Sequence, residues 1–177
     1  LELLLDSHPE LIPRIHVTFV GRRAKSSDRA IREFRYPSAV EIVDHVGKRE
    51  ANRRMQDSDI LLLISNPGRE RYLNGKLFEY VAARRPVLVF GFPGETSTLI
   101  DRLGAGVLCA PGSAEALLES LAYLQTLDLS IDNDRVSEWR REHLRESLAS
   151  RAFELVESLI APTSTTSRPA YADVALR

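Results

Sequence analysis

The segment DILLLISNPGRERYLNGKLFEYVAARRPVLVFG (residues 59–91) decides the fold, because it joins two apolar runs through one helical stretch. The runs DILLLIS (59–65) and RPVLVFG (85–91) do not alternate polar with apolar residues, which is typical of strands covered on both faces. Between them, from Gly75 onward, apolar residues recur at helical spacing. The segment therefore predicts two parallel strands joined by a helical crossover.

The same alternation of strand and helix extends to both sides. The pattern predicts further strands at 14–21, 39–47 and 105–110, and helices at 26–35, 48–58, 95–104, 113–125 and 134–160. Together these elements predict an α/β fold with a Rossmann-like parallel sheet and helices on both faces. We expect one domain over residues 1–160 and a flexible tail over 161–177, which is rich in Ser, Thr and Pro.

Composition excludes several classes of function. The net charge of −1 gives no electrostatic case for nucleic acid as a partner. Cys109 is the single cysteine, so no internal disulfide is expected, and the four histidines show no metal-ligand spacing. No segment has the length and apolar content of a membrane span. We therefore expect a cytoplasmic protein without a metal site.

The helix that begins near Gly75 has the features of an anion site. Its start offers unpaired N–H groups and a positive dipole end, Gly75 lets a phosphate approach the backbone, and Lys76 adds a cation. A nucleoside triphosphatase loop does not fit, because six residues separate Gly68 from Gly75 and Leu77 stands where magnesium needs a hydroxyl. The pattern favours a phosphate compound bound in another way.

Glu79 lies one helical turn after Lys76 and permits two interpretations. A carboxylate there repels phosphate but can accept two sugar hydroxyls, each worth roughly 1.5–3 kcal/mol. Phosphate at Gly75 and ribose at Glu79 would then describe a nucleoside diphosphate. Alternatively, Lys76 and Glu79 form an ordinary surface pair worth ~0.2–0.5 kcal/mol. The residues alone leave both interpretations open.

The run from Gly47 to Cys109, with NGKLFEYVAARRPVLVF at its centre, resembles the C-terminal, donor-binding half of GT-B glycosyltransferases. The closest pattern is that of the large retaining family 4, whose helix reads GK-[LI]-[FY]-E-Y-[LV]-A before P-[VI]-[IL]. The resemblance covers residues 14–125 and implies one half of a GT-B fold. It also implies transfer of a sugar from a nucleotide-sugar to an acceptor such as a polysaccharide or a lipid-linked glycan.

The resemblance assigns roles to particular residues. It implies catalytic roles for Lys76 and Glu79, with Glu79 on the ribose of the donor. It implies three further groups of donor-binding residues. The turn at the helix start comprises Asn74, Gly75, Lys76 and Leu77, and the segment beside the base comprises Asp44, His45 and Val46. The loop after an earlier strand contributes Gly21 and Arg22. No cofactor is implied, because the nucleotide-sugar is the substrate and cations with a helix dipole neutralise the leaving diphosphate.

The sequence also departs from the family. The first glutamate of the family's pair, which lies by the donor sugar, falls at Arg71, with Glu70 adjacent. The family's first donor-domain strand and its acceptor domain would precede Leu1, so we expect a fragment that is inactive alone. For the full-length protein we expect that acceptor domain as a partner and peripheral association with the inner face of a membrane. A sugar-nucleotide epimerase of the same fold and a non-catalytic, degenerate domain stay open as alternatives.

Overall fold

The computed structural model describes residues 1–129, 134–143 and 145–160. Its strands are β1 (Val17–Val20), β2 (Val40–Val43), β3 (Leu61–Ser65), β4 (Val87–Gly91) and β5 (Gly106–Cys109). Its α-helices are α1 (Glu2–Ser7), α2 (Lys25–Arg32), α3 (Lys48–Asp57), α4 (Lys76–Ala83), α5 (Glu95–Arg102), α6 (Ala114–Gln125), α7 (Asp134–Glu142) and α8 (Arg145–Ile160). Short 3-10 turns cover Pro9–Leu11 and Pro37–Ala39.

All the strand pairs in these residues are parallel, as predicted. The order β3-β4-β5 forms one ladder, in which Leu61 lies beside Val87 and Val87 beside Gly106. β1 and β2 form a second ladder, with Val17 beside Val40. Within the described residues the predicted parallel sheet consists of two ladders, because no strand among them pairs with both β1 and β3.

Alternate residues of β4 divide the core between two faces. Val87 and Val89 pack in a cluster with Leu77 of α4 and Ile100 of α5, whereas Leu88 packs in a second cluster with Leu4 of α1. The second cluster also holds the buried Cys109 and the α6 side chains Leu117 and Leu124. Helices therefore cover both faces of the sheet, as the continuous apolar strands predicted.

The structure corrects two local predictions and confirms one. Residues 134–160 form two helices instead of one, since α7 ends at Glu142 and α8 begins at Arg145. α2 covers Lys25–Arg32 and begins after Ala24 without a side-chain cap, whereas the pattern predicted a helix over 26–35. The predicted start of α6 is confirmed: the Ser113 hydroxyl caps this helix by accepting the Ala116 N–H at 3.1 Å.

The chain divides into two compact units, with the boundary after Arg140. In the second unit, the Ser147 hydroxyl donates to the Arg141 carbonyl at 2.7 Å, and Arg151 donates to the Glu142 carbonyl. No helix in the described ranges has the length and apolar content to cross a membrane. The predicted tail at 161–177 lies outside those ranges.

Candidate functional site

The start of α4 lies just beyond the carboxyl end of β3, and its first N–H groups bond to Asn74. The side-chain oxygen of Asn74 accepts the Lys76 N–H at 3.0 Å, and the Asn74 carbonyl accepts the Leu77 N–H at 2.9 Å. Two of the amides predicted to hold a diphosphate are thus already bonded, and an anion would have to exchange with Asn74. The Leu77 side chain is fully buried and anchors the helix to the sheet.

Gly75 occupies a position where the fold does not require glycine. Its backbone has φ −58° and ψ −28°, an ordinary right-handed helical conformation. A Cβ added to it would meet no atom within 4 Å. The space above this residue is therefore open, and a ligand could approach the backbone closely.

Lys76 and Glu79 form an ion pair on the exposed side of α4. The Lys76 ammonium lies 2.5 Å from the Glu79 carboxylate, and the two side chains are 56% and 45% exposed. This geometry is that of the surface pair that the sequence left open. The side chains are also accessible to a ligand, and an exposed i,i+3 pair holds them by only ~0.2–0.5 kcal/mol.

Lys76 also reaches a cavity that approaches the other ladder. The cavity has a volume of about 460 Å³, and its walls include Val20 of β1, Met55 of α3, and Lys76 and Tyr80 of α4. Burial raises the pKa of the Tyr80 phenol above its ordinary value, so this hydroxyl stays neutral. Lys76 and the last residue of β1, Val20, thus line the same cavity.

A second cavity, of about 270 Å³, lies at the carboxyl end of β3 itself. Asn74 and Gly75 line it together with three residues that the sequence analysis did not single out: Arg69, Tyr72 and Thr96. Their position between the end of β3 and the starts of α4 and α5 was the available signal, because ligands of parallel sheets bind at such edges.

Thr96 ties the loop before α4 to the start of α5. Its hydroxyl accepts the Asn74 N–H at 3.1 Å and donates to the Tyr72 carbonyl at 3.1 Å. Near the same place, the Glu95 N–H donates to the Glu70 carbonyl at 2.7 Å. Thr96 is buried, so its two hydrogen bonds fix Asn74, whose side chain accepts the Lys76 N–H.

Close backbone contacts require glycine at the end of β4 and in the loop that follows it. Gly91 has φ +137°, and a Cβ there would lie 2.0 Å from the Ser65 carbonyl oxygen. A Cβ at Gly94 would lie 2.6 Å from the Glu70 carbonyl oxygen. These glycines let the loops after β3 and β4 pack against each other beneath the cavity.

Glu70, the neighbour of the missing first glutamate, is engaged in its own loop. Its carboxylate accepts the Gly68 N–H at 2.8 Å. Its own N–H and that of Gly68 hold the pKa of this carboxyl below its ordinary value. Arg71, which occupies the family position, is exposed. Glu70 therefore has a local structural role here, and no carboxylate stands at the Arg71 position.

The remaining predicted residues lie at the carboxyl ends of the β1-β2 ladder. Gly21 has φ +106°, and its N–H donates to the Val43 carbonyl at 3.0 Å. Arg22 is exposed after this turn. His45 and Val46 follow β2; His45 is exposed and Val46 is partly buried.

Arg23, not Arg22, organises this edge. Its guanidinium donates to the Gly21 carbonyl at 2.7 Å and to the Val43 carbonyl at 3.3 Å, so it joins the ends of β1 and β2. It also donates to the Asp28 carboxylate at 2.8 Å. The acid five residues downstream was the one sequence signal for this role, and it was missed.

Comparisons with known proteins identify a family through a family model and a fold through solved structures. The family model described as Glycosyl transferases group 1 matches residues 1–126. No curated protein matches the chain. Among solved structures, WaaG, a glycosyltransferase involved in lipopolysaccharide biosynthesis, is 20% identical with a TM-score of 0.56, and the match covers 86% of this chain and 43% of WaaG.

Two further structures show the same fold at lower identity. HepE from Anabaena, solved in complex with UDP, is 14% identical with a TM-score of 0.61, and the match covers 90% of this chain and 44% of HepE. The GtfA/B complex is 16% identical with a TM-score of 0.64, over 89% of this chain and 32% of the other. The chain spans less than half the length of each of these proteins.

Proposed function

The chain belongs to the family Glycosyl transferases group 1, and we propose that it forms the donor-binding half of an enzyme that transfers a sugar from a nucleotide-sugar. The observation that carries this proposal is the start of α4. There, an open glycine, an accessible ammonium and an accessible carboxylate one turn later follow the carboxyl end of a buried parallel strand. This edge is where ligands bind in such sheets.

The charges at this edge suit the two ends of a nucleoside diphosphate. The diphosphate would lie on the backbone of Gly75 with the Lys76 ammonium beside it, where the dipole of α4 is also positive. The Glu79 carboxylate would accept the ribose hydroxyls, and it would leave its present partner Lys76 to the phosphates. Both proposed contacts use side chains that solvent already reaches.

The same groups would assist the chemical step. As the bond between the anomeric carbon and the diphosphate breaks, negative charge grows on the leaving oxygen. The Lys76 ammonium and the helix start would stabilise that charge because they are held in place before the reaction. This role is electrostatic and needs no proton transfer from Lys76.

The acceptor side of the reaction would come from another part of the polypeptide. This proposal is supported by the share of the neighbours that the chain matches, which is 43% of WaaG and 44% of HepE. We propose that this acceptor domain precedes the donor half, that the acceptor is a polysaccharide or lipid-linked glycan, and that the full-length protein works in the cytoplasm at the inner face of a membrane.

Calorimetric titration tests the donor site directly. UDP and GDP are the probes, with uridine and guanosine as controls that lack the diphosphate. We expect one diphosphate to bind in a saturable manner and more tightly than its nucleoside. A protein that binds neither diphosphate would be a degenerate domain without a donor site, and the proposal would be withdrawn.

A further inference from the structure

The cavity at the carboxyl end of β3 continues the donor site beyond Gly75. Its wall includes Asn74 and Gly75 but neither Lys76 nor Glu79. In the proposed function, on which this inference rests, the ribose lies at Glu79 and the diphosphate at Gly75. A nucleotide-sugar carries its sugar on the far side of the diphosphate from the ribose. The sugar would therefore enter this cavity, whose volume of about 270 Å³ suits one part of a larger ligand.

The polar groups in the wall of this cavity divide into bonded and unbonded ones. The Ser65 hydroxyl donates to the Phe92 carbonyl at 2.8 Å, and the Thr96 hydroxyl bonds two backbone groups of the loop before α4. Within the described residues, the side chains of Asn66 and Tyr72 have no hydrogen-bond partner. An amide and a phenol can each donate and accept, so these two side chains suit the hydroxyls of a sugar.

Arg69 provides the one charge in the described wall of the cavity. Its guanidinium makes no hydrogen bond and no ion pair with any described residue, and the side chain is exposed. The acidic residues that flank the cavity in the chain, Glu70 and Glu95, are absent from this wall. The Glu70 carboxylate instead accepts the Gly68 N–H at 2.8 Å. The cavity therefore presents an unneutralised positive charge.

An unpaired guanidinium indicates the chemical class of the sugar. A guanidinium can donate two parallel N–H groups to a carboxylate, and such a bidentate pair is stronger than a hydrogen bond to a neutral hydroxyl. We propose that the donor carries a hexuronic acid, whose carboxylate binds Arg69 and whose hydroxyls bond Asn66 and Tyr72. Arg69 is then the residue that selects this donor over one with a neutral hexose.

Titration calorimetry compares uronic acid donors with neutral counterparts that differ from them only in the group on C5 of the sugar. The matched pairs are UDP-glucuronate with UDP-glucose, UDP-galacturonate with UDP-galactose, and GDP-mannuronate with GDP-mannose. We expect at least one uronate to bind about fivefold or more tightly than its neutral partner. This preference should diminish as salt is added, because Arg69 is exposed.

Two results would overturn the proposal, and they are distinguishable from each other. In the first, the protein binds UDP or GDP but prefers no uronate over its neutral partner. The donor site would then stand, and only the assignment of the sugar would fail. In the second, the protein binds neither diphosphate, and the proposed function fails together with this inference.

A pair of arginine variants tests the role of Arg69 itself. Arg69→Gln removes the charge from the cavity, so the preference for the uronate should fall below about twofold, while the affinity for the diphosphate alone and the Tm stay close to those of the wild type. Arg14→Gln removes an exposed arginine before the amino end of β1 and should keep the full preference. A preference that survives in Arg69→Gln would contradict the proposed carboxylate contact.

Discussion

The Lys76 ammonium lies 2.5 Å from the Glu79 carboxylate on the exposed side of α4, and neither group has a second charged partner within the described salt bridges. An exposed pair at this spacing contributes only ~0.2–0.5 kcal/mol to the helix. Separating the two charges therefore costs little compared with the bonds that each could make to a nucleoside diphosphate. The pair can thus exist in the free protein and open when the donor binds.

Replacing Glu79 tests the ribose contact. We expect Glu79→Ala to weaken binding of a nucleoside diphosphate by roughly 1.5–3 kcal/mol, because two charge-assisted hydrogen bonds to hydroxyls are lost. The Tm should stay close to that of the wild type. Glu119→Ala, which removes an exposed glutamate from α6, is the matched control for titration calorimetry. Unchanged affinity in Glu79→Ala would exclude the ribose contact.

Replacing Lys76 tests the phosphate contact. We expect Lys76→Ala to weaken a nucleoside diphosphate by about 1 kcal/mol or more and the matching nucleoside much less, because the ammonium interacts with phosphate charge. The loss for the diphosphate should diminish as salt is added. If the diphosphate and the nucleoside lose affinity equally, Lys76 acts on something other than the phosphates.

Replacing Gly75 tests the approach of the ligand to the backbone, because the fold does not require glycine at this position. Since its φ is −58° and the space beside it is empty, Gly75→Ala should leave the free energy of unfolding unchanged or raise it by up to about 1 kcal/mol. Binding of the diphosphate should weaken, because the methyl group occupies the approach to the backbone. Gly91→Ala is the contrasting control and should destabilise the protein, given its φ of +137°. If the Gly75→Ala protein binds the diphosphate as tightly as the wild type, Gly75 is not part of the diphosphate site.

Thr96 supports the site from beneath. Thr96→Val keeps the shape of the side chain but leaves the Asn74 N–H and the Tyr72 carbonyl without their partner. We expect it to lower the free energy of unfolding by about 1–3 kcal/mol in denaturant titrations. Thr96→Ser keeps the hydroxyl and should recover most of that loss. If Thr96→Val and Thr96→Ser have the same free energy of unfolding, these two hydrogen bonds contribute little to stability.

Asp6 should give the protein a measurable acid sensitivity. Its carboxylate accepts the Tyr36 hydroxyl and the Arg35 guanidinium, each at 2.5 Å, and these bonds hold the pKa of Asp6 below its ordinary 3.8. A depressed pKa in the folded state stabilises the protein above about pH 3.8, and the contribution is lost as the pH falls through the lower folded value.

The variant Asp6→Asn isolates this contribution. The difference in free energy of unfolding between wild type and Asp6→Asn should be largest near neutral pH and shrink as the pH falls below 4. Chemical denaturation over this pH range provides the measurement. Asp101→Asn controls for the removal of one exposed charge from another helix. A difference that does not change with pH would contradict the assigned hydrogen bonds.

The sequence predicted elements well where local pattern determines them. The continuous apolar runs identified β3 and β4, and the helical spacing after Gly75 identified α4 to within a residue of its start. The pairing of strands depends instead on contacts between distant parts of the chain, so the break between β1 and β3 was not visible in any local pattern. The end of α7 at Glu142 and the start of α8 at Arg145 were also not predicted.

The same difference between local pattern and long-range contacts applies to the residues of the candidate site. The sequence analysis named Gly21 and Arg22, but the positive φ of Gly21 turns the chain so that the next arginine, Arg23, bonds both strand ends. Thr96 was missed because its role depends on two loops that meet only in the folded protein. Residues whose function follows from type and spacing, such as Lys76 and Glu79, could be proposed from the sequence, whereas residues that position others could not.

The hydrogen bond between the Lys76 N–H and the Asn74 side chain has a consequence for the protein without a ligand. The Asn74 amide oxygen accepts the Lys76 N–H in the free protein, and in the proposed donor complex a phosphate oxygen would take its place. The first N–H groups of α4 are therefore bonded before any ligand binds, and a diphosphate would have to displace the Asn74 oxygen to reach the Lys76 N–H. When such a diphosphate leaves, Asn74 would bond the Lys76 N–H again, so we expect this amide to be satisfied in both the free and the bound protein.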